Sequence, residues 1–600
     1  MPNTFNLSKP NDYPYNINAK SQARGSKNIR LAVFQMQAKV GNIQYNLDKI
    51  INFYQENSHQ DLVLTPELAL SGYSPQDDLY SKDFHQLINE AINQISSITQ
   101  NSNATLLLGT PYFKDNLIFN AVLVITSGKV QDIIYKSKLP YYGVFNEHRY
   151  FTAANEKYPT NNIIKVKNYK VGIFICEDMW HLDKCKEIMA ENPDLLISIN
   201  ASPFEIDHKI NKNENRLKVV KNFLSSNIPL IYINLVGGQD EVVFDGSSFI
   251  YQNNNDNLKT PYYLGFCHED YCSLEFAGKA ITIIKPANHK PFTGRLTEDL
   301  IYTALMVGTR DFIKGNDFKG VLLGISGGID STLTATLVAD TLGPENVMGI
   351  SMPSIYTSDL SKDIVKEIQV SLGILIHEVP IDNAFNAYKE SLKIYLEPIN
   401  KPNQVNEGNN VLENLQARIR GQILMAFANV NSELMVLTTA NKSENSTGYA
   451  TLYGDTCGAF NVIKDLYKRN VYALSKWRNS NIPAGSLLPK LNVIPERAIS
   501  RAPSAELHPN QVDAESLMEY DILDTILYGL IEANQPLAEL YQQFDKAKVD
   551  KVIKLIKNSH YKRAQAAVGI KVSPRALGRE FQYALTNDFK INNTLKVKKP

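Results

Sequence analysis

Three stretches of this chain set a reactive side chain at the end of an apolar run. Leu62-Val-Leu-Thr-Pro-Glu67 ends in a carboxylate, Tyr135-Lys136-Ser-Lys-Leu-Pro140 carries an ammonium behind a β-rich run, and Val171-Gly-Ile-Phe-Ile-Cys176-Glu-Asp puts a thiol directly after an apolar strand. Taken singly they read as a solvated glutamate, a surface lysine and a small buried hydrophobe. Taken together they are what amide hydrolysis through a thioester requires: a thiolate nucleophile, a carboxylate to shuttle its proton, and a cation near the developing oxyanion. A fourth stretch, Gly324-Ile325-Ser326-Gly327-Gly328-Ile329-Asp330-Ser331, follows an apolar run and opens a helix, so its backbone N–H groups and the helix dipole suit phosphate oxygens. No lysine follows the glycines, which separates it from the GxxxxGKS/T loop, and it lacks the GxGxxG spacing of dinucleotide sites. Asp330 on this loop and Glu444, beyond a run ending at Thr438-Thr439, are hard oxygen donors suited to a Mg²⁺ that bridges phosphates. A helix cap or a solvated acid is the plain alternative for each.

The elements that must position these groups fall into two patterns. From 29 to 285, β-rich runs at 29–36, 61–65, 104–109, 121–126, 130–135, 170–175, 194–200, 230–235 and 247–251 alternate with amphipathic segments such as 81–98 and 216–225, predicting a mixed α/β sandwich. The runs flanking Ser127-Gly128 predict a hairpin. Pro286, Pro291 and Gly294 then break the pattern, which makes 286–296 a linker. From 297 to 600 strands at 320–324, 347–351, 375–381 and 434–437 alternate with helices from 330, at 359–372 and at 412–429. That order predicts a parallel, doubly wound sheet with its ligand loops at the carboxyl ends of strands. Residues 386–410 mix a helical pattern with a polar, Asn-rich stretch, and 1–28 form a polar N-terminal arm.

Composition narrows the class further. A chain of 600 residues, 44% of them hydrophobic, can bury more than one core. Basic and acidic residues balance at 62 each, so there is no global positive field of the kind that holds nucleic acid. Five cysteines without paired short spacings point to a reducing, cytoplasmic setting. No apolar run approaches membrane-spanning length, and the expected partners are small molecules rather than a membrane or nucleic acid.

The order Glu67, Lys136, Cys176, with Ser71-Gly72-Tyr73 and Cys176-Glu177-Asp178 around it, resembles the nitrilase (carbon–nitrogen hydrolase) superfamily over residues 29–285. The resemblance implies an α-β-β-α sandwich in which Glu67 is the general base, Lys136 stabilises the tetrahedral intermediate and Cys176 is the nucleophile. Tyr141-Tyr-Gly-Val-Phe-Asn-Glu147 and Asn200-Ala-Ser202-Pro-Phe are similar to the glutaminase members. By that likeness Tyr142, Ser202 and Lys209 contact L-glutamine, with His208 the alternative to Lys209, and Glu147 orients the lysine. Core packing and a turn are the alternatives for Tyr142 and Ser202.

The string 324–331 resembles the SGGxDS loop of the PP-loop ATP pyrophosphatases, which implies an adenine nucleotide alpha hydrolase-like domain that adenylates a carboxylate. Leu437-Thr-Thr439-Ala-Asn-Lys-Ser-Glu444, Gly448 to Asp455, Glu413-Asn414 to Arg420, Arg501-Ala-Pro-Ser504 and Tyr561-Lys562-Arg563 are similar to the NAD⁺ synthetase family. The nitrilase-plus-synthetase order is that of its glutamine-dependent long form. What this resemblance implies is a ligase converting deamido-NAD⁺, ATP, L-glutamine and water to NAD⁺, AMP, pyrophosphate and glutamate, with ammonia passing between two sites. It puts Gly324 to Ser331, Thr439, Lys468 and Ser504 on ATP, and Asn414, Glu444 and Lys562 on deamido-NAD⁺. It also implies a homo-oligomer. A PP-loop amidotransferase acting on a different carboxylate is the alternative. Two departures from the family pattern stand out. The spacing from Asn414 to Glu444 is one residue longer than the family pattern, an insertion assigned to the turn at 429–433, and Gln565-Ala-Ala-Val-Gly lacks proline.

Overall fold

Period-two alternation sends Ile29, Leu31 and Val33 of strand Ile29–Gln35 to one face and Ala32 and Phe34 to the other, and both faces are buried. The first face meets a second sheet through Val171, Ile173 and Ile175 of Tyr169–Ile175 and Leu195, Ile197 and Ile199 of Leu195–Asn200. The other is covered by helices Ile43–Glu56 and Lys82–Ile98, whose Leu47, Ile50, Phe84 and Ile88 recur at helical spacing. The computed structural model describes residues 28–206, 216, 228–252, 261–396, 411–508, 511 and 517–586. The arm up to residue 27, Lys209 with its alternative His208, the 216–225 segment beyond Arg216, and the polar stretch 397–410 lie outside them.

Among the described residues the first sheet has seven strands, in the order Ala280–Lys285, Asp270–Ala277, Ile29–Gln35, Leu62–Leu64, Thr105–Lys114, Leu117–Thr126, Lys129–Tyr135. The second has six, with Tyr169–Ile175, Leu195–Asn200 and Leu230–Asn234 parallel at its centre. This is the expected α-β-β-α sandwich. The hairpin forms at Ser127-Gly128, both with positive φ (51° and 81°), the twist that suits a two-residue connection. Strands Asp270–Ala277 and Ala280–Lys285 add an antiparallel pair beside Ile29–Gln35 that the β-rich runs did not flag.

The C-terminal sheet is parallel throughout, and its strands lie in the order Leu375–Glu378, Val347–Ser351, Gly320–Gly324, Leu434–Thr438, Phe460–Asn461, Val568–Gly569. The third, second and first strands therefore precede the fourth, fifth and sixth, and winding reverses between Gly320–Gly324 and Leu434–Thr438. In such sheets the ligand crevice lies outside the carboxyl ends at that reversal. Helix Thr297–Gly315 joins the two halves. Its Leu300, Ile301 and Leu305 share one core with Leu196, Tyr232 and Phe249 of the sandwich and with Val321 and Leu323 of the parallel sheet.

Candidate active sites

Glu67 and Cys176 both stand where a strand stops abruptly. Leu68, next to Glu67, and Cys176 itself adopt φ of 47°, a left-handed conformation costly for a residue with a Cβ. The turns they make aim both side chains between the sheets' carboxyl ends. Lys136 Nζ donates to Glu67 Oε1 at 2.6 Å and to Glu147 Oε1 at 2.7 Å, and neither Lys136 nor Glu67 has any solvent exposure. Asn120 Nδ2 donates to Glu67 Oε1 at 2.7 Å and the Ala201 N–H to Oε2 at 2.8 Å, so both oxygens of Glu67 are held. The Ala201 N–H also favours the thiolate form of Cys176. Asp178 accepts from the backbone N–H groups of Ser137 and Lys138, tying the lysine and cysteine segments together.

Burial, then the nearby Glu67, push the Cys176 thiol well above its ordinary range; Lys136 works in the opposite direction. The sulfur therefore rests as a thiol that needs a base. One ammonium cannot neutralise two buried carboxylates. Burial pushes Glu147 up to about 7, against the pull of Lys136, while the two carboxylates hold Lys136 firmly as the ammonium.

The residues expected on glutamine lie around this set. Tyr142 is exposed and its hydroxyl donates to Glu177 Oε2 at 2.9 Å. Ser202 is buried, its N–H donating to Asn234 Oδ1 at 2.8 Å and its Oγ accepting from Arg216 Nη2 at 3.1 Å. Sequence reasoning missed three supporting groups. Arg216, buried, forms an ion pair with Asp245 at 3.2 Å and bonds to Ser202; its guanidinium is held charged against burial by Asp245. Tyr73 donates to Glu147 Oε1 at 2.7 Å, and Asn120 anchors Glu67. Tyr73 sits inside a quoted motif and could have been flagged. Arg216 and Asn120 belong to unremarkable segments and carried no signal.

At the second site the 324–331 loop lies at the winding reversal. Gly327 has φ of 78°, and a Cβ there would stand 2.8 Å from the Ser361 carbonyl oxygen, so the close turn needs glycine. Ser326 Oγ and Ser331 Oγ lie 3.2 Å apart, and the Gly328 N–H donates to Ser326 Oγ, which shapes the loop ahead of helix Ile329–Leu342. Lys468 Nζ donates to Asp330 Oδ2 at 2.5 Å and lies 3.3 Å from Glu444 Oε1; Asn441 Nδ2 donates to Asp330 Oδ1 at 2.9 Å. Glu444 in turn closes a capping box with Asn441 at the start of helix Lys442–Thr447. Ser326, Asp330, Thr439, Glu444, Lys468 and Ser504 line one crevice, and a larger, more apolar cavity continues from Gly324 and Thr439 toward Met352, Arg420 and Leu424. Asn414 and Lys562 stand to one side, both hydrogen-bonded to the 448–455 loop. Asn414 Oδ1 accepts from Thr451 Oγ1 at 2.7 Å, and Lys562 Nζ donates to the carbonyls of Gly448 (2.9 Å) and Ala450 (2.6 Å). Among the described residues no group of three or more His, Cys, Asp or Glu side chains is spaced to hold a metal by itself.

A buried thiol–carboxylate–ammonium set in a two-sheet sandwich, carried on the same chain as a phosphate loop at the reversal of a doubly wound sheet, defines a ligase of the amidotransferase class. The family models agree in kind: that of carbon-nitrogen hydrolase matches residues 30–256 and that of NAD synthase residues 301–566. The chain is 36% identical over 569 residues to the glutamine-dependent NAD⁺ synthetase of Acinetobacter baylyi, covering 94% of this chain and 99% of that one. It is 36% identical over 597 residues to that of Aquifex aeolicus, covering 94% and 100%. The solved glutamine-dependent NAD⁺ synthetase of Acinetobacter baumannii in complex with ADP superimposes with a TM-score of 0.70 at 32% identity, over 94% of this chain and all of that one. That of Cytophaga hutchinsonii, 20% identical, shares the fold with a TM-score of 0.73 over 94% and 98%. The chain belongs to the glutamine-dependent NAD⁺ synthetase family.

Proposed function

We propose that this chain makes NAD⁺ from deamido-NAD⁺, ATP, L-glutamine and water, releasing AMP, pyrophosphate and glutamate. The observation that carries the reading is the enclosure of Lys136 between Glu67 and Glu147 beside the Cys176 thiol, on the same chain as the 324–331 phosphate loop. Residues 29–285 form the glutaminase, 297–600 the synthetase and 286–296 the linker, with 1–28 an arm; the division of the sheets supports these limits.

In the glutaminase, Glu67 takes the thiol proton as Cys176 sulfur attacks the glutamine amide carbon, and the Lys136 ammonium stabilises the oxyanion. Glu67 returns that proton to the departing nitrogen, leaving ammonia and a thioester. It then deprotonates the water that releases glutamate. Tyr142, Ser202 and Lys209 hold glutamine. Burial of the site excludes stray water and keeps the ammonia unprotonated for its passage to the second half.

In the synthetase, the backbone of Gly324 to Ser331 with Thr439, Lys468 and Ser504 holds ATP, and Asn414, Glu444 and Lys562 hold the dinucleotide. The pyridine carboxylate is joined to AMP with loss of pyrophosphate, and ammonia displaces AMP. Asp330 and Glu444 converge on one ammonium, Lys468, and this pair of hard oxygen donors fits a Mg²⁺. When bound, the ion supplies charge neutralisation for the phosphates. We propose a homo-oligomer as the working assembly.

The test is mass spectrometry of the products from deamido-NAD⁺, Mg-ATP and amide-¹⁵N glutamine. The label is expected in NAD⁺ with one AMP released per NAD⁺. Unlabelled or absent NAD⁺, or AMP release with aspartate or xanthylate in place of deamido-NAD⁺, would overturn the reading.

A further inference from the structure

One short stretch of the C-terminal half, 570–580, runs along the sandwich and touches both walls of the proposed glutamine pocket. Its backbone is stitched to the first half: the Ile206 N–H donates to the Val572 carbonyl and the Lys571 N–H to the Glu241 carbonyl, each at 2.7 Å. Ile206 lies four residues beyond Ser202 on the same extended segment. At the other end, Glu580 packs on Gly143, beside Tyr142. Gly143 has φ of 58°, and a Cβ there would come within 2.8 Å of Glu580 Oε1.

Lys571 joins the two walls. Its ammonium is buried, 2.8 Å from Glu580 Oε2 and 3.6 Å from Glu205 Oε2, and it donates to the Ser573 carbonyl at 2.6 Å. Glu580 Oε2 also accepts the Ala576 N–H at 2.7 Å, which fixes the carboxylate's place against Gly143. The stretch is anchored equally firmly on the synthetase side. Asp465 accepts the N–H groups of Val572 and Ser573, and Lys442, one residue from Asn441 of the phosphate crevice, lies 2.9 Å from Asp465 and donates to Ser573 Oγ at 2.7 Å.

We propose that Lys571, contributed by the synthetase half, is a positioning residue of the glutamine site: by bridging Glu205 and Glu580 it sets the separation of the Ser202 wall from the Tyr142 wall. The proposal rests on the glutaminase reading given above. Removing the cation takes away the charge shared by Glu580, nearly buried at 8% side-chain exposure, and the partly exposed Glu205, and the two carboxylates move apart or take up water. Because each is anchored to a different wall, the pocket widens and glutamine binding suffers. Asp465 also feels the Lys571 charge, but its hydrogen bonds to the Val572 and Ser573 N–H groups and its pair with Lys442 remain, so the synthetase crevice is disturbed far less.

The experiment compares wild type, Lys571→Met and Lys571→Arg in the full-length protein, measuring glutamate release and NAD⁺ formation with glutamine or with ammonium chloride. Lys571→Met is expected to raise the glutamine KM about tenfold in both assays, leave ammonia-driven NAD⁺ formation within about twofold, and be largely restored by Lys571→Arg. Glu580→Gln, which keeps the side-chain volume, is expected to raise the glutamine KM about threefold and serves if Lys571→Met does not fold. An unchanged glutamine KM in the folded variants, or an equal loss of glutamine- and ammonia-driven rates, would overturn the proposal. Wild-type glutamate release separates the two readings: its absence overturns the glutaminase and this proposal together, whereas its presence with an unchanged variant KM overturns the proposal alone.

Discussion

The two proposed sites handle charge in opposite ways. In the glutaminase, Lys136 and Glu67 are wholly buried and each already has its partners within 3 Å. In the synthetase, Asp330 and Glu444 retain 16% and 15% side-chain exposure, and a lysine stands where the two carboxylates converge. The difference follows from the substrates. A neutral amide brings no charge, so the field that stabilises its oxyanion must be built in and kept dry. A polyphosphate brings several negative charges with counterions, so its site must stay open and hold its acids on a provisional partner.

The sharpest way to break this comparison is to remove the sulfur. Cys176→Ala is expected to lower glutamine-driven NAD⁺ formation by about 10⁴-fold or more while ammonia-driven formation persists, since only the first site needs a nucleophile. Parallel rate measurements with the two nitrogen sources decide it, and an undiminished glutamine rate would sink the thioester mechanism. Asp330→Asn acts on the other side of the comparison. Losing a charged oxygen donor beside the phosphate loop should cost roughly a hundredfold with glutamine and with ammonia alike, and a loss confined to glutamine would count against the division of labour.

A smaller effect comes from pH. Glu147 titrates near 7, so a rise from about pH 6 to about pH 8 converts it to the carboxylate that steadies Lys136. Glutamate release should climb several-fold over that window, and Glu147→Gln should lower the plateau and erase the inflection. If the inflection survives in Glu147→Gln, another group sets it.

Much of this was legible along the chain because the informative features are local. Glu67, Lys136 and Cys176 each end an apolar strand, and a strand end is visible as a run that stops. The phosphate loop is a contiguous string, and its helix and strand boundaries came within a residue or two. Two of the strands that escaped notice explain themselves. Phe460–Asn461 and Val568–Gly569 are two residues each, too short to show a period, and they exist only because a parallel neighbour supplies their hydrogen bonds. Asn120 and Arg216 matter through partners 53 and 29 residues away, with nothing nearby in the chain to mark them.

By itself, then, the sequence determined the inventory: a thiol, a carboxylate and an ammonium at strand ends, a glycine loop before a helix, and two alternation patterns that make a sandwich and a parallel sheet. Only the tertiary structure decided that Lys136 lies between two carboxylates rather than beside one, that the loop sits where winding reverses, and that Lys571 pairs with Glu205, more than 360 positions upstream. The physical reason is range. Backbone preference and side-chain periodicity act over a few residues, whereas the cost of burying a charge is met by whichever opposite charge the fold brings near, at any separation along the chain.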